Sequence, residues 1–221
     1  GDTNFLASSA SAALTHNVNK ANSTAALVTS GTPSAFGNSV TFTVTLSATA
    51  PGAGTPGGTV TFLDNSIAIG SCTGVAVSAG VATCTLSGAS ALSTGTHPIT
   101  ASYSGDANFN TSTSNSVSQV VTALATATAL ASSLNPSLSG NSVTFMATVA
   151  SSATVNAGNV QFLDGASTLC TVAVNASGSA TCTTSSLTAG SHAITAAYLG
   201  ATNFNASTSV VLTQVVNQAP S

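Results

Sequence analysis

The chain has 221 residues, of which 43% are hydrophobic and only 2% charged, with one lysine or arginine against four acidic residues and a formal net charge of -3. One cation cannot displace counterions from a row of phosphates, which excludes nucleic-acid binding. Thr and Ser interrupt even the longest Ala-rich stretch, VVTALATATALASSL, which excludes a membrane span in this segment.

The opening phrase GDTNF at Gly1 recurs as GDANF at Gly105 and GATNF at Gly200. Further on, LTHNV at Leu14 aligns with VSQVV at Val117 and LTQVV at Leu212. Residues 1–20 therefore read as the last strand of a preceding repeat, either a remnant of a longer array or an assembly strand that pairs with a neighbouring molecule. No basic start followed by an apolar run stands at the N-terminus, so secretion must be argued from other features.

Residues 21–123 form one repeat. Val40, Phe42, Val44 and Leu46 alternate with Thr41, Thr43, Thr45 and Ser47, the period of two of a half-buried strand. After the turn-rich APGAGTPGG (Ala50 to Gly58), Val60 and Phe62 mark a second strand, and Ile99, Ala101 and Tyr103 a later one; Ser114–Thr122 closes the unit. The junction QVVTALATATAL has no Gly or Pro, which predicts a short, stiff joint.

Residues 124–221 repeat the pattern. GNSVTF at Gly37 returns at Gly140, GTVTFLDN at Gly58 as GNVQFLDG at Gly158, and GTHPITASYSGDANF as GSHAITAAYLGATNF. Val143, Phe145, Ala147 and Val149, Val160 with Phe162, and Ile194, Ala196 and Tyr198 fill the same inward positions, and Val210–Asn217 is the last strand. A period near 100 residues with about seven short strands per copy predicts all-β, tandem immunoglobulin-like antiparallel β-sandwiches.

Cys72 and Cys84, and Cys170 and Cys182, recur at one spacing in both repeats. An even spacing across a hairpin, with turns VSAG and NASG ending in Gly80 and Gly178, predicts one disulfide per domain. Whether the partners lie opposite or diagonal is open from sequence. Zinc binding requires closer Cys or His partners. Persistent disulfides point to an oxidising, extracellular compartment.

His97 and His192 occupy matching positions at a strand entrance, and His16 stands where the repeats have Gln119 and Gln214. Recurrence argues for roles in the fold, and no nucleophile motif accompanies them, so the expectation is no enzyme, no catalytic residue and no cofactor. Asp64 and Asp164 follow FL at strand ends and read as turn caps. Asp2 and Asp106 give way to Ala201 in the last copy, and no carboxylate cluster supplies six oxygens for calcium, so no metal is expected. Tyr103 and Tyr198 alternate with Ile and read as packed residues. Asn22, Asn110, Asn175 and Asn205 begin N-x-S/T triplets, which arise by chance in a chain rich in Ser and Thr.

The run VTFLD, the late G-T/S-H-x-I-T-A-x-Y-x-G-x-x-N-F and the closing LTQVV resemble bacterial immunoglobulin-like repeats of the group 3 type. The resemblance implies tandem domains of large exported surface proteins, acting as stalks, spacers or adhesive segments, with no shared catalytic residues. The cysteine pairs and the near absence of charge depart from that family. Together these features predict a non-catalytic structural segment of an extracellular stalk or filament, partnered by copies of itself or neighbouring repeats. The alternative is an adhesive or glycan-binding module that uses loops such as Ala50–Gly58 and Ser151–Gly158.

Overall fold

The computed structural model describes residues 3–6 and 8–219. Gly1 and Asp2 of the opening phrase, and Pro220 and Ser221 of the last unit, lie outside the described residues.

Domain 1 contains β1 (Ser23–Thr29), β2 (Ser34–Ala35), β3 (Val40–Ala48), β4 (Thr59–Asp64), β5 (Ile67–Ala68), β6 (Val75–Ala76), β7 (Val81–Leu86), β8 (Gly95–Tyr103), β9 (Ser112–Thr113) and β10 (Val117–Thr122). They form a β1-β3-β7 sheet facing a β2-β10-β8-β4-β5 sheet, with β6 on β4 and β9 on β8. Domain 2 contains β11 (Ala127–Ser132), β12 (Ser137–Leu138), β13 (Val143–Ala150), β14 (Asn159–Asp164), β15 (Ser167–Ala173), β16 (Ser179–Thr184), β17 (Gly190–Tyr198), β18 (Ser207–Thr208) and β19 (Leu212–Asn217). Its sheets are β11-β13-β16 and β12-β19-β17-β14-β15, with β18 on β17.

The alternating pattern sets the cores. Val40, Phe42, Val44 and Leu46 face inward from β3 and meet Val60, Phe62, Ile99, Ala101 and Tyr103 of the opposite sheet. The equivalent residues make the second core. Each fully buried Phe, Leu, Ile or Val contributes about 1.5–3 kcal/mol, and these two interleaved layers are the main stabilising term.

The short second strand and the last strand of each domain meet in parallel. In domain 1 Val121 pairs with Ser34 and Thr122 with Ala35; in domain 2 Val216 pairs with Ser137 and Asn217 with Leu138. The chain enters each domain on the antiparallel sheet through β1 or β11, then crosses to the other sheet at Pro33 or Pro136. A buried glutamine locks that crossing. Gln119 Oε1 accepts from Thr29 Oγ1 (2.7 Å) and its Nε2 donates to Ser34 Oγ (3.1 Å). Gln214 Oε1 accepts from Ser132 Oγ (2.7 Å) and its Nε2 donates to the Leu134 carbonyl (2.8 Å). Both glutamines are fully buried, so their amides must be satisfied internally.

The disulfides form between the expected partners but do not cross-link a hairpin. Cys84 lies on β7 and Cys182 on β16, in the three-stranded sheets, whereas Cys170 lies on β15 and Cys72 in a 3-10 turn (Gly70–Cys72), both on the side of the other sheet. The turns at 78–81 and 175–179 are tight, but β7 and β16 spend their ladder on β3 and β13. Each bridge therefore staples sheet to sheet, with Cα–Cα distances of 5.6 and 6.3 Å. The spacing alone does not tell the two geometries apart, because the period of two holds within a strand and fixes no face across the turn between two strands.

Residues 8–19 form no strand, and Leu14 and Val18 are exposed at 83% and 93%. At Lys20 and Ala21 the chain is hydrogen-bonded to domain 1: the Ala21 N–H donates to the Asn108 carbonyl (2.8 Å) and the Lys20 ammonium to the Asp106 carbonyl (2.6 Å).

Candidate functional site

The joint between the domains is where the fold concentrates specific contacts. Three separate segments of the chain build it. The connector lies between Thr122 and Ala127; in it the Leu124 N–H donates to the Asn203 carbonyl and the Leu124 carbonyl accepts from the Asn205 N–H, both at 2.9 Å. Leu124 is itself a member of the second core. Ala35 and Phe36, at the end of β2 in domain 1, pack on that same cluster. From the loop before β8, Thr94 Oγ1 donates to the Thr202 carbonyl (2.5 Å) and the Thr94 N–H to Asn203 Oδ1 (3.4 Å). A joint held by a connector alone swivels; two added contacts from other segments oppose both bending and twisting.

The domain 2 loop that receives this joint, and its counterpart at the far pole of domain 1, each depend on one glycine. Gly58 (φ +76°) and Gly158 (φ +88°) open β4 and β14, where a Cβ would stand 2.5 Å from the Gly105 or Gly200 carbonyl oxygen. Only glycine lets the two backbones approach so closely. In domain 1 Asp106 completes the arrangement. Its Oδ1 accepts from the N–H groups of Asn108 (2.7 Å) and Phe109 (2.8 Å), and Oδ2 accepts from Gly57 (2.7 Å). The Gly57 and Asn108 amides hold the Asp106 carboxyl below its ordinary pKa. Asp106 therefore shapes a loop; Ala201 leaves the second copy without it.

Tyr103 and Tyr198 are 1% exposed and belong to the cores. The Tyr198 hydroxyl donates to the Ala157 carbonyl (2.8 Å). Burial, and next the charge of Asp106, push the Tyr103 hydroxyl up to about 12. Neither ring offers a stacking surface to a ligand.

Asp64 and Asp164 are more than turn caps: each pairs with the histidine of its own domain. His97 Nδ1 lies 2.7 Å from Asp64 Oδ2 and its Nε2 2.9 Å from the Ser93 carbonyl oxygen. His192 is placed the same way against Asp164 Oδ2 (2.6 Å) and the Thr188 carbonyl (2.9 Å). The Thr188 carbonyl, and then the Asp164 carboxylate, raise the pKa of His192. Sequence reasoning missed this pair, although F-L-D and the later histidine recur together in both copies. Its role is that of a strand clamp: the ring ties the end of β4 or β14 to the segment just before β8 or β17. The groove beside His97, about 440 Å³ and open to solvent, is walled by Asp64, Asn65, Ile67, Ile69 and Thr96. Among the described residues no three His, Cys, Asp or Glu side chains gather as a metal site. No helix among them is long and apolar enough to cross a membrane. Asn22, Asn110, Asn175 and Asn205 are all exposed.

Two disulfide-stapled sandwiches, each with its second strand beside its last and joined through shared contacts, define a tandem immunoglobulin-type module. The chain belongs to the bacterial Ig-like domain (group 3) family, whose model matches residues 27–122 and 130–217. Domains of this type are generally non-catalytic. No curated protein matches the sequence. Solved structures that are similar include fibronectin(III)-like modules of Clostridium thermocellum CbhA (14% identity, 87% of this chain and 95% of that one, TM-score 0.37). The Yersinia pseudotuberculosis adhesin InvE is similar at 15% identity over 87% of this chain and 58% of that one, with a TM-score of 0.44. The D0-D1 domain of intimin is similar at 18% identity over 86% and 97%, with a TM-score of 0.33.

Proposed function

We propose that the chain is a non-catalytic, tension-carrying spacer segment of an extracellular stalk or filament. The carrying observation is the parallel pairing of the short second strand with the exit strand in both domains, β2 with β10 and β12 with β19. Tension that passes through β1 or β11 into this second strand and acts on the exit strand from the other end pulls such a pair along its length, so the ladder bonds are loaded together instead of opening one at a time. The Phe36 N–H to Thr122 carbonyl (2.9 Å) and Ser139 N–H to Asn217 carbonyl (2.8 Å) bonds extend the ladders, and the buried glutamines lock them.

The sheet-to-sheet disulfides and the near absence of charge support the extracellular reading, since persistent disulfides need an oxidising compartment and an uncharged surface responds little to salt. Neighbouring repeats are the partners this reading favours. Glycan binding has no comparable support, because the tyrosines that would form a stacking platform are buried.

Single-molecule pulling on the full chain tests the proposal. Two unfolding events are expected, each lengthening by about 35 Å on reduction, since releasing a 12-residue separation adds roughly 3.3–3.6 Å per residue less the 5.6 or 6.3 Å that the bridge already spans. Unfolding at forces no higher than those that unzip a hairpin would overturn it.

A further inference from the structure

We propose that the N-terminal pole of domain 1 is a docking surface for another Ig-like repeat of this kind, whose last strand is Leu14–Asn19. This deepens the spacer reading by naming the partner and its seat. Three observations carry it.

First, the pole of domain 1 has the architecture of the occupied pole of domain 2. Ala21 bridges Phe109 as Leu124 bridges Phe204. The Asn110 N–H donates to the Ala21 carbonyl (2.9 Å), as the Asn205 N–H does to Leu124. Asn108 stands where Asn203 receives Thr94. On domain 2 this surface is covered by Phe36 and Thr94 of the preceding repeat; on domain 1 it is an open cleft of about 320 Å³, lined by Val18, Lys20, Ala21, Ala53, Ala107 and Asn108.

Second, the segment leading into that cleft carries the pattern of a last strand without its sheet. Val18 aligns with Val121 and Val216, which are 6% and 3% exposed, yet Val18 is 93% exposed. Leu14 aligns with Val117 and Leu212, which pack on the cores, yet Leu14 is 83% exposed. His16 holds the position of the buried glutamines and is exposed. Two positions that are inward in both full copies are solvent-facing here, and a repeat's facing sheet buries them.

Third, the seat discriminates among donors. The groups that hold the existing joint, Phe36 and Thr94, correspond to Ser139 and Ala189 in domain 2. Domain 2 therefore lacks both the aromatic anchor and the hydroxyl donor, and its exit pole does not match the seat on domain 1. The occupant is a repeat resembling domain 1, not the second domain of another copy of this segment.

The test extends the intact chain by placing residues 21–104 ahead of Gly1, so that GDTNF through Lys20 completes an added repeat. Hydrogen exchange reads the 14–19 amides, and spin-label distances read the added joint against the Phe36–Thr94 joint. Expected are protected 14–19 amides and equally narrow distance distributions at both joints. A Phe36→Ser change confined to the added copy broadens only the new joint. Amides 14–19 that stay unprotected, or added strands that remain unfolded, overturn the strand assignment. In a second variant, an intact copy of residues 21–123 replaces residues 1–20 and isolates the seat; a distribution several times broader at its new joint overturns docking. Neither readout depends on unfolding force, so weak domains under tension would sink the spacer reading while leaving this result interpretable. Association of the unextended chain through this pole, detected by sedimentation and abolished by Asn108→Ala, would overturn the stated donor selectivity.

Discussion

Replacing Gln214 by leucine removes the lock between β12 and β19 while nearly keeping the side-chain volume. Gln214 is fully buried, and its amide accepts from Ser132 Oγ at 2.7 Å and donates to the Leu134 carbonyl at 2.8 Å, the Ser137 hydroxyl at 3.3 Å and the Val215 carbonyl at 3.2 Å. Three net hydrogen bonds at about 1 kcal/mol each, plus about 1 kcal/mol for the stranded Ser137 hydroxyl, give a loss of about 4 kcal/mol. The added apolar burial of leucine returns about 1 kcal/mol. The expected net loss is about 3 kcal/mol, a large part of the roughly 5–15 kcal/mol that holds a domain together. Guanidinium unfolding of the full chain, with peptide-resolved hydrogen exchange to separate the domains, measures it. Domain 2 should lose its protection first while domain 1 is unchanged. The exposed Gln218→Leu serves as control and should stay within about 0.5 kcal/mol. A Gln214→Leu loss no larger than that control would refute the lock.

Removing one bridge by Cys72→Ala with Cys84→Ala should cost domain 1 about 3 kcal/mol, from the loop-closure entropy of a 12-residue separation; differential calorimetry on oxidised protein checks it. Gly158→Ala forces a Cβ to 2.5 Å from the Gly200 oxygen at φ +88°, and should cost about 2 kcal/mol or more by urea denaturation. The raised pKa of His192 means that its pairing contributes fully below the unfolded value of about 6.5, and that this contribution fades as pH rises through the higher folded value. Domain 2 should therefore be slightly more stable at mildly acidic than at alkaline pH, by less than about 1 kcal/mol, and His192→Ala should flatten that slope. Asp106 works in the opposite sense. Its lowered pKa makes its contribution present above the unfolded value and lost as pH falls through the folded one, so acid should loosen the loop at 105–109, and Asp106→Asn should remove that response in an NMR titration.

The two sandwiches were legible in the sequence because a strand with one buried face imposes a period of two, and two copies of one pattern show which residues matter to both. Val40, Phe42 and Val44 alternate with threonine for that reason, and their counterparts at Val143, Phe145 and Ala147 obey the same constraint. The cysteine partners were legible too, through their repeated spacing. What the spacing left open was which sheets the bridge joins, since the alternation of faces within a strand is not carried across the turn between the two cysteines. The Asp64–His97 and Asp164–His192 pairs escaped because their members are 33 and 28 residues apart, and only the pairing of β4 with β8 and of β14 with β17 brings them together. Local chemistry therefore determined the strands, the cores and the turns. The parallel pairing of second and last strands, the glutamine lock, and the joint made by Phe36, Thr94 and Leu124 were decided by tertiary structure, because each is a contact between segments whose order along the chain carries no signal of their proximity.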